Sequence, residues 1–458
     1  MRRQPASFGR NSLSVFVANV GTAGVLIAIT VATARFLGTD GRGVYAVGVL
    51  LPALVFVLGS MGLPAATTYL AARNEYTDGA VMRVAIVESG VVGLLAAFVG
   101  AVVFFTVGHR VLGSLSLRDG FISIAAVPFL FVSATVQAFL LGKHRYAAYN
   151  IALFGQAAII LASVVAALTV FGGDATVAIA ATTTGVAVGA VCLAVWCVRR
   201  LSGRLDRPPR AYLREMLRFG IQSHLSNVLT FLGYRFDVFL LAAYTTASTV
   251  GIYSAAVAIG ERPWIFSAAA STVLFSRLSA ERHEERRREL TPVVARSVFW
   301  LTALAAGVLV LISRPLVLLF YSDSFEPAIT PLRAILIGIV FFSAGRILAN
   351  DIAARGRPLL NSYLAGAAAA ANIGLNVLLI PRYGATGAAL ASTISYTLLF
   401  AATAAWYCRL SGNGPVSILV PSVRDVRLWR DSLTGGLRSA IRRPDAPYRD
   451  ATVGRQGG

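Results

Sequence analysis

The sequence has few of the residues on which soluble enzymes and metal proteins depend. Charged side chains make up 14% of its 458 residues, and there are three cysteines and four histidines. The cysteines lie near predicted helix ends, where a structural disulfide is not expected (Cys192, Cys197 and Cys408). The histidines have no metal-ligand spacing, since His283 would need a second histidine at Arg287 to form a zinc-binding helix. Neither a metal site nor a disulfide framework is predicted.

A nucleotide-binding motif is also missing. Gly142-Lys143 resembles the end of a phosphate-binding loop, but the motif needs glycine in place of Gln137 and a hydroxyl residue in place of His144. We therefore expect no ATP motor and no cofactor. The excess of 41 basic over 21 acidic residues would suggest nucleic acid in a soluble chain. Because the loops lack the interleaved aromatic and basic residues that bind single strands, no nucleic-acid partner is predicted.

Apolar residues are abundant instead. The chain is 56% hydrophobic with a mean hydropathy of +0.70, which is too apolar for an ordinary soluble protein. Apolar segments of roughly 20 residues, the length that crosses a bilayer, recur about twelve times. Pro52, Pro64, Pro128 and Pro263 are expected to kink or interrupt their segments. The sequence thus predicts an all-α polytopic membrane protein with spans near 13–34, 44–70, 80–106, 121–141, 147–171, 176–198, 219–244, 250–276, 293–320, 328–353, 359–380 and 385–407.

Basic residues are distributed unevenly over the predicted loops. They are concentrated at the N-terminus and in the loops after the even-numbered spans, above all in residues 199–218 with seven arginines. By the positive-inside rule, these loops and both termini face the cytoplasm, so we expect a multi-pass protein of the cytoplasmic membrane. The outer loops are short, as in 245–249, and leave no outer domain for chemistry. The basic tail has apolar residues at helical spacing, and both a membrane-surface helix and disorder remain open there.

The chain repeats itself at an offset of 211 residues. Gly173 matches Gly384 and Asn150 matches Asn361 at this offset, and Gly43 in Gly-Val-Tyr-Ala matches Gly251 in Gly-Ile-Tyr-Ser at 208. A constant offset predicts a duplicated unit, with two parallel six-helix lobes related by a pseudo-twofold along the membrane normal. The expected domains are an N-terminal lobe, a cytoplasmic basic linker, a C-terminal lobe and a basic cytoplasmic tail (1–198, 199–218, 219–408 and 409–458).

Ionisable side chains inside the predicted spans are the candidate functional residues, because a charge within a bilayer costs several kcal/mol. Arg235 and Asp237 lie two apart in the seventh span, so they point to different partners. Glu261 and Arg262 lie in the eighth span, immediately before Pro263. Arg346 and Asp351 lie in the tenth span, Glu88 lies alone in the third, and Arg35 and Arg42 flank the first outer loop.

Two interpretations of these charges stay open. In one, the arginines line a cavity for an anionic ligand, and the carboxylates Asp237, Glu261, Asp351 and Glu88 include one that exchanges protons. In the other, Arg235 with Glu261, or Asp237 with Arg262, form static pairs that join helices. Snorkelling is a sufficient explanation for Arg35 and Arg42. Asp40, in Gly-Thr-Asp-Gly, is interpreted as a turn residue rather than as a glycosyltransferase acid.

Several stretches together resemble the polysaccharide-biosynthesis flippases, the Wzx-type O-antigen branch of the multidrug/oligosaccharidyl-lipid/polysaccharide exporter superfamily. They are Ala34 to Tyr45, Arg235 to Leu241 with Val250 to Ala256, and Asn372 to Asn376 with Leu379 to Ala389. The similarity runs to about Gly412 and leaves the tail uncovered. Arg235 and Asp237 match most clearly, whereas Glu88 and Arg346 rest on burial alone.

The resemblance implies a V-shaped transporter that turns an undecaprenyl-pyrophosphate-linked oligosaccharide across the membrane by alternating access, without enzymatic activity. A central cationic cavity would hold the pyrophosphate and sugars, and the lipid tail would stay among membrane lipids. A glycan polymerase or glycosyltransferases of the same pathway are the implied partners. Two alternatives are a drug or cation exporter of the same superfamily, which the buried arginines disfavour, and a membrane glycosyltransferase or polymerase, which the short outer loops disfavour.

Overall fold

The computed structural model of the chain describes residues 6–202, 205–280 and 284–421, and within these ranges every regular element is a helix. We call residues 6–202 the first half and residues 205–421 the second half. The first half contains nine α-helices, with π-helical turns at Val84–Glu88, Phe104–Gly108 and Val198–Ser202. The α-helices are α1 Ala6–Gly59, α2 Leu63–Arg73, α3 Asp78–Arg83, α4 Ser89–Val103, α5 His109–Val111, α6 Leu117–Ile124, α7 Val127–Gly142, α8 Tyr146–Phe171 and α9 Ala175–Cys197.

The second half contains seven α-helices and a 3-10 turn at Asp323–Ala328. They are α10 Arg210–Tyr244, α11 Ala247–Gly260, α12 Trp264–Ala280, α13 Glu284–Phe320, α14 Ile329–Ala354, α15 Pro358–Ser411 and α16 Val416–Leu419.

Nine helical stretches among the described residues are long and apolar enough to cross a membrane. Two of them contain a glycine at which the backbone leaves the helix, Gly38 with φ of 65° in α1 and Gly384 with φ of 52° in α15. A positive φ costs glycine little, so the chain turns there without a long loop. The prediction of an all-α polytopic membrane fold is confirmed, while the count of twelve spans stays a prediction.

Each half interrupts its second apolar segment. In the first half, residues 60–62 separate α1 from α2, and Pro64 stands in the first turn of α2. In the second half, residues 261–263 separate α11 from α12, and Pro263 lies within this break. The expected interruption is confirmed for Pro64 and Pro263, and Pro128 likewise stands in the first turn of α7, whereas α1 continues past Pro52 to Gly59. Backbone breaks at membrane depth are found where protein surrounds them, and they often border binding sites.

The two halves touch at both ends of the bundle. Turns alternate between one end, near Gly38 and Gly384, and the other end, near Arg73; we call these the Gly38 end and the Arg73 end. At the Gly38 end α1 packs against α11, and Arg35 of the first half donates hydrogen bonds to the carbonyl oxygens of Leu319 and Phe320.

At the Arg73 end α2 packs against α10. Arg73 forms an ion pair with Glu215 at 2.7 Å, and the rings of Tyr69 and Phe219 stack with centroids 4.3 Å apart. The halves are therefore in contact at both ends.

The predicted linker and tail differ in detail from the structure. Helix α10 already begins at Arg210, so the second part of the predicted linker 199–218 is helical. At the start of the tail, α16 packs on α13, where Trp300 donates a hydrogen bond to the carbonyl oxygen of Leu419 at 2.9 Å. The apolar-basic stretch of the tail lies outside the described residues. The four predicted domains stay a prediction.

Candidate functional site

The centre of the candidate site is an ion pair between Arg235 of α10 and Glu261 in the break between α11 and α12. The guanidinium nitrogens NH1 and NH2 of Arg235 donate to Oε1 and Oε2 of Glu261 at 2.8 and 2.7 Å. The Arg235 side chain is 32% exposed, and that of Glu261 is 8% exposed. This pair is one of the two possible static ion pairs that the sequence analysis named. Its two parallel hydrogen bonds form the bidentate geometry that makes arginine–carboxylate contacts strong.

Asp237 points away from this pair into a separate buried network. Its carboxylate accepts hydrogen bonds from the backbone N–H of Val238 at 2.8 Å and from the hydroxyl of Tyr253. Ser392 of α15 donates to the same carboxylate at 3.5 Å. The prediction that Arg235 and Asp237 reach different partners is confirmed. No described ion pair joins Asp237 to Arg262, so that alternative is wrong.

The network around Asp237 contains residues that the sequence analysis did not select. Asn372 donates from Nδ2 to the Oγ of Ser392 at 3.5 Å, and Asn376 donates to Oδ1 of Asn372 at 2.9 Å. The two asparagines lie one helical turn apart in a predicted span, and this spacing was the signal available in the sequence. Tyr253 and Ser392 carry no such signal, because single hydroxyl residues are common in membrane helices.

Arg262 of the second half and Arg42 of the first half share Tyr321 as a neighbour. Arg262 donates from Nε to the carbonyl oxygen of Ala258 at 2.6 Å and lies within electrostatic reach of Arg235 and Glu261. Tyr321 lies within electrostatic reach of both Arg262 and Arg42. The first half thus contributes an arginine to a region otherwise built by the second half.

Arg42 itself is 7% exposed. Its guanidinium carbon lies 5.3 Å from the ring centroid of Tyr45, and its Nε has no hydrogen-bond partner among the described residues. Snorkelling to a surface does not account for a side chain this deeply enclosed.

Arg346 lies at the opposite edge of the region. It lines a cavity of about 140 Å³ between α10, α14 and α15, together with Tyr234, Phe342 and Asn361. Tyr234 is within electrostatic reach of Arg346, Arg235 and Glu261. We call Arg42, Arg235, Arg262 and Arg346 the arginine group. Only Glu261 and Asp237 among the candidate carboxylates lie beside it, so the region carries a positive charge.

An aromatic cluster lies beside the arginine group. Tyr234, Trp264, Phe342 and Tyr396 pack with ring centroids between 5.0 and 6.4 Å apart. The indole nitrogen of Trp264 is buried and has no hydrogen-bond partner among the described residues. The sequence analysis missed this cluster, because its four rings come from four helices.

Two other candidate carboxylates lie outside the region. Asp351 accepts hydrogen bonds from Thr291 at 2.6 Å and from Arg355, which also pairs with Glu284 at 2.5 Å. Burial would lower the pKa of Arg355, but its hydrogen bonds to Asp351 and Glu284 raise it above its usual value. This network joins α13 to α14, so we interpret it as a structural contact between the two helices.

Glu88, Arg35 and Asp40 form no described ion pair with the arginine group. Glu88 is not alone as expected, since Arg83 pairs with it at 3.2 Å one turn away. Arg35 satisfies the carbonyl groups at the end of α13, and Asp40 is exposed just after the turn at Gly38. The described residues hold no group of three or more His, Cys, Asp or Glu side chains that could bind a metal ion.

Comparisons with known proteins place this geometry in context. The profile of the family described as Polysaccharide biosynthesis protein matches residues 8–281, which is more than half of the chain. A curated relative, the probable low-salt glycan biosynthesis flippase Agl15 of Haloferax volcanii, is 23% identical over 219 residues. That alignment covers 46% of this chain and 45% of the relative. The chain therefore matches less than half of the length of this relative.

Two solved structures share the fold along most of the chain. The lipid II flippase MurJ in an inward closed conformation superposes with a TM-score of 0.74 at 14% identity, covering 94% of this chain and 93% of that one. A multidrug resistance MATE family transporter of the MOP superfamily, in an inward-facing conformation, superposes with a TM-score of 0.69 at 17% identity, covering 85% and 94%. At these identities the similarity shows the fold alone, which the chain shares with both proteins.

Proposed function

Since the chain belongs to the polysaccharide biosynthesis protein family, we propose that it is a flippase for a lipid-linked oligosaccharide. The glycan would be carried on undecaprenyl pyrophosphate and turned across the cytoplasmic membrane. Membrane lipids would hold the prenyl tail, and a glycan polymerase or glycosyltransferases of the same pathway would be its partners. No chemical step on the glycan is proposed, so the protein would act as a transporter and not as an enzyme.

The observation that carries this proposal is the positive charge of the arginine group inside an otherwise apolar bundle. Arg235 pairs there with Glu261, and Arg42 is deeply buried without an acidic partner among the described residues. Buried charges persist where a ligand or partner compensates them. A pyrophosphate carries several negative charges and presents pairs of oxygens that match the planar guanidinium fork.

The position of the arginine group fits alternating access between the halves. Arg42 belongs to the first half and Arg235, Arg262 and Arg346 to the second, so relative motion of two lobes changes their separation. We place the Arg73 end in the cytoplasm, following the loop charges. Opening that end would admit the headgroup, and opening the Gly38 end would release it. Tyr234 and Trp264, the partly exposed rings of the aromatic cluster, would offer ring faces to sugar units.

Transport by reconstituted protein tests the proposal. The wild type should move a fluorescent undecaprenyl-pyrophosphate oligosaccharide between leaflets of proteoliposomes. Arg235→Lys and Arg262→Lys should each lower the rate by about tenfold or more, because an ammonium cannot hold two phosphate oxygens in one plane. Arg314→Lys is the matched control, since Arg314 lies outside the arginine group, is 67% exposed and pairs with Glu326.

The outcomes separate the competing functions. Equal rates for wild type and both lysine variants would make the arginine group structural. Transport of cationic dyes without transport of the lipid-linked glycan would favour the drug exporter. Elongation or transfer of the glycan by the purified protein would favour the glycosyltransferase or polymerase.

A further inference from the structure

We propose that the Glu261 carboxylate occupies the place of the ligand's phosphate on Arg235 and is displaced when the ligand binds. The inference rests on the proposed function, since it takes the ligand to be a pyrophosphate. In this inference Glu261 competes with the ligand's phosphate for Arg235. It neither exchanges protons nor joins two helices permanently.

The geometry of the pair is that of a ligand contact. Both oxygens of Glu261 accept from the two terminal nitrogens of Arg235 at 2.8 and 2.7 Å. A phosphate presents two oxygens to the same fork in the same plane. One guanidinium edge cannot hold both groups at once, so carboxylate and phosphate compete for Arg235.

Accessibility distinguishes this pair from a structural ion pair in the same chain. The Arg235 side chain is 32% exposed, whereas Arg355, which pairs with Asp351, is 10% exposed. Asp351 is further held by Thr291 at 2.6 Å. For Glu261, Arg235 is the side-chain hydrogen-bond partner that the described residues provide. An incoming anion can therefore reach Arg235, while Arg355 is enclosed by its own partners.

The backbone around Glu261 allows it to leave. Glu261 follows α11 and opens the three-residue break before α12, where Trp264 N–H bonds to its carbonyl oxygen at 3.1 Å. Arg235 lies within the continuous helix α10. A small change in the break moves the Glu261 side chain without unwinding either helix, whereas moving Arg235 would disturb α10.

The surroundings of Glu261 provide a second cation for the displaced carboxylate. The charged and titratable groups near it are Arg235, Asp237 and Tyr234 on α10, Arg262 beside it, and Tyr396 on α15. Arg262 is within electrostatic reach of Glu261, and no described ion pair engages it. The displaced carboxylate therefore stays near the positive charge of Arg262, which it shares with the phosphate, and is not left as an isolated buried charge, which would be costly.

Binding of inorganic pyrophosphate to the purified full-length chain in lipid nanodiscs tests the exchange. Glu261→Gln keeps the shape of the side chain and removes the competing charge, so it should bind pyrophosphate about tenfold more tightly than the wild type. Adding Arg235→Ala to this variant should abolish the gain. Glu326→Gln, which frees Arg314 far from the site, controls for the loss of one negative charge and should stay within about twofold of the wild type.

A second variant guards against misfolding. Glu261→Asp keeps the charge but is one methylene too short to reach both guanidinium nitrogens, so it should give an intermediate gain in affinity. Thermal unfolding of each variant reports whether the fold is intact. If folded Glu261→Gln bound pyrophosphate no more tightly than the wild type, or if no variant bound it, the exchange would be overturned.

The flipping assay separates this inference from the proposed function. Suppose that the wild type transports the lipid-linked glycan and that Glu261→Gln has an unchanged affinity for pyrophosphate. These results would overturn the exchange at Arg235 and still support the flippase function. A tenfold gain in affinity without glycan transport would support the exchange at Arg235 and count against the flippase function.

Discussion

Gly43 and Gly251, which the sequence repeat pairs at an offset of 208, touch each other across the junction of the two halves. A methyl group on Gly43 would overlap the carbonyl group of Ala247 and lie 3.0 Å from the backbone nitrogen of Gly251. A methyl group on Gly251 would overlap the carbonyl oxygen of Thr39. The absence of a Cβ at both positions therefore allows α1 and α11 to approach backbone to backbone at the Gly38 end.

Gly43→Ala should weaken closure of the Gly38 end. The added methyl group meets backbone atoms that cannot rotate away, so the helices must separate, at a cost of about 1–3 kcal/mol. Lower thermal stability and longer distances between spin labels on α1 and α11 should follow. Gly24→Ala is the matched control, since a methyl group there meets no atom within 4 Å. Identical behaviour of the two variants would show that the contact does not constrain the halves.

Glu215→Gln should loosen the Arg73 end with little loss of stability. Hydrogen bonds to Glu75 and Tyr69 raise the pKa of Arg73, which stays charged and loses only its partner across the junction. Exposed pairs contribute little to stability, but this one joins the two halves.

Disulfide formation measures this loosening. Cysteines introduced together as Tyr69→Cys and Phe219→Cys, with the native cysteines replaced, should cross-link readily with Glu215 present and more slowly in Glu215→Gln. Arg314→Ala breaks a surface pair outside this junction and serves as the control. Cross-linking at an unchanged rate in Glu215→Gln would mean that the ion pair does not hold this end closed.

The orientation follows from the loop charges and is tested by cysteine labelling of intact cells. A membrane-impermeant thiol reagent should reach single cysteines at positions 174 and 247 and should not reach those at 204 and 286. Detergent permeabilisation should make the latter two reactive, which controls for expression. Labelling of position 204 in intact cells would reverse the predicted topology.

Asp237→Asn should weaken the dependence of flipping on a pH gradient. Asp237 is buried beside the arginine group, and its carboxylate is held by Tyr253 and by the backbone of Val238. The amide keeps the shape but cannot exchange a proton, so transport should continue with a reduced response to the gradient. Pyrophosphate binding should persist.

Proteoliposomes with an imposed pH difference provide this measurement. Asp119→Asn is the matched control, because Asp119 is equally buried but lies in the first half, where its carboxylate accepts a hydrogen bond from Ser116, the N-cap of α6. An unchanged pH response in Asp237→Asn would exclude Asp237 from coupling.

The membrane location, the helical class and the breaks at Pro64 and Pro263 were determined by the sequence alone. Each depends on local chemistry, since apolar length, helical period and the missing proline N–H act within one segment. The divergence of Arg235 and Asp237 was determined in the same way, because residues two apart on a helix face different sides.

Only the tertiary structure decided which charges meet. Glu261 is the partner of Arg235, Arg42 joins from the other half, and Asp351 is bound to Arg355 away from the site. The chain has 42 glycines, so the sequence alone does not single out those at positions 43 and 251. Their importance follows from the crossing of α1 and α11 at these two residues. These choices depend on contacts between residues far apart in sequence. Such contacts form only when the helices pack, because packing must satisfy every neighbouring side chain and charge at the same time.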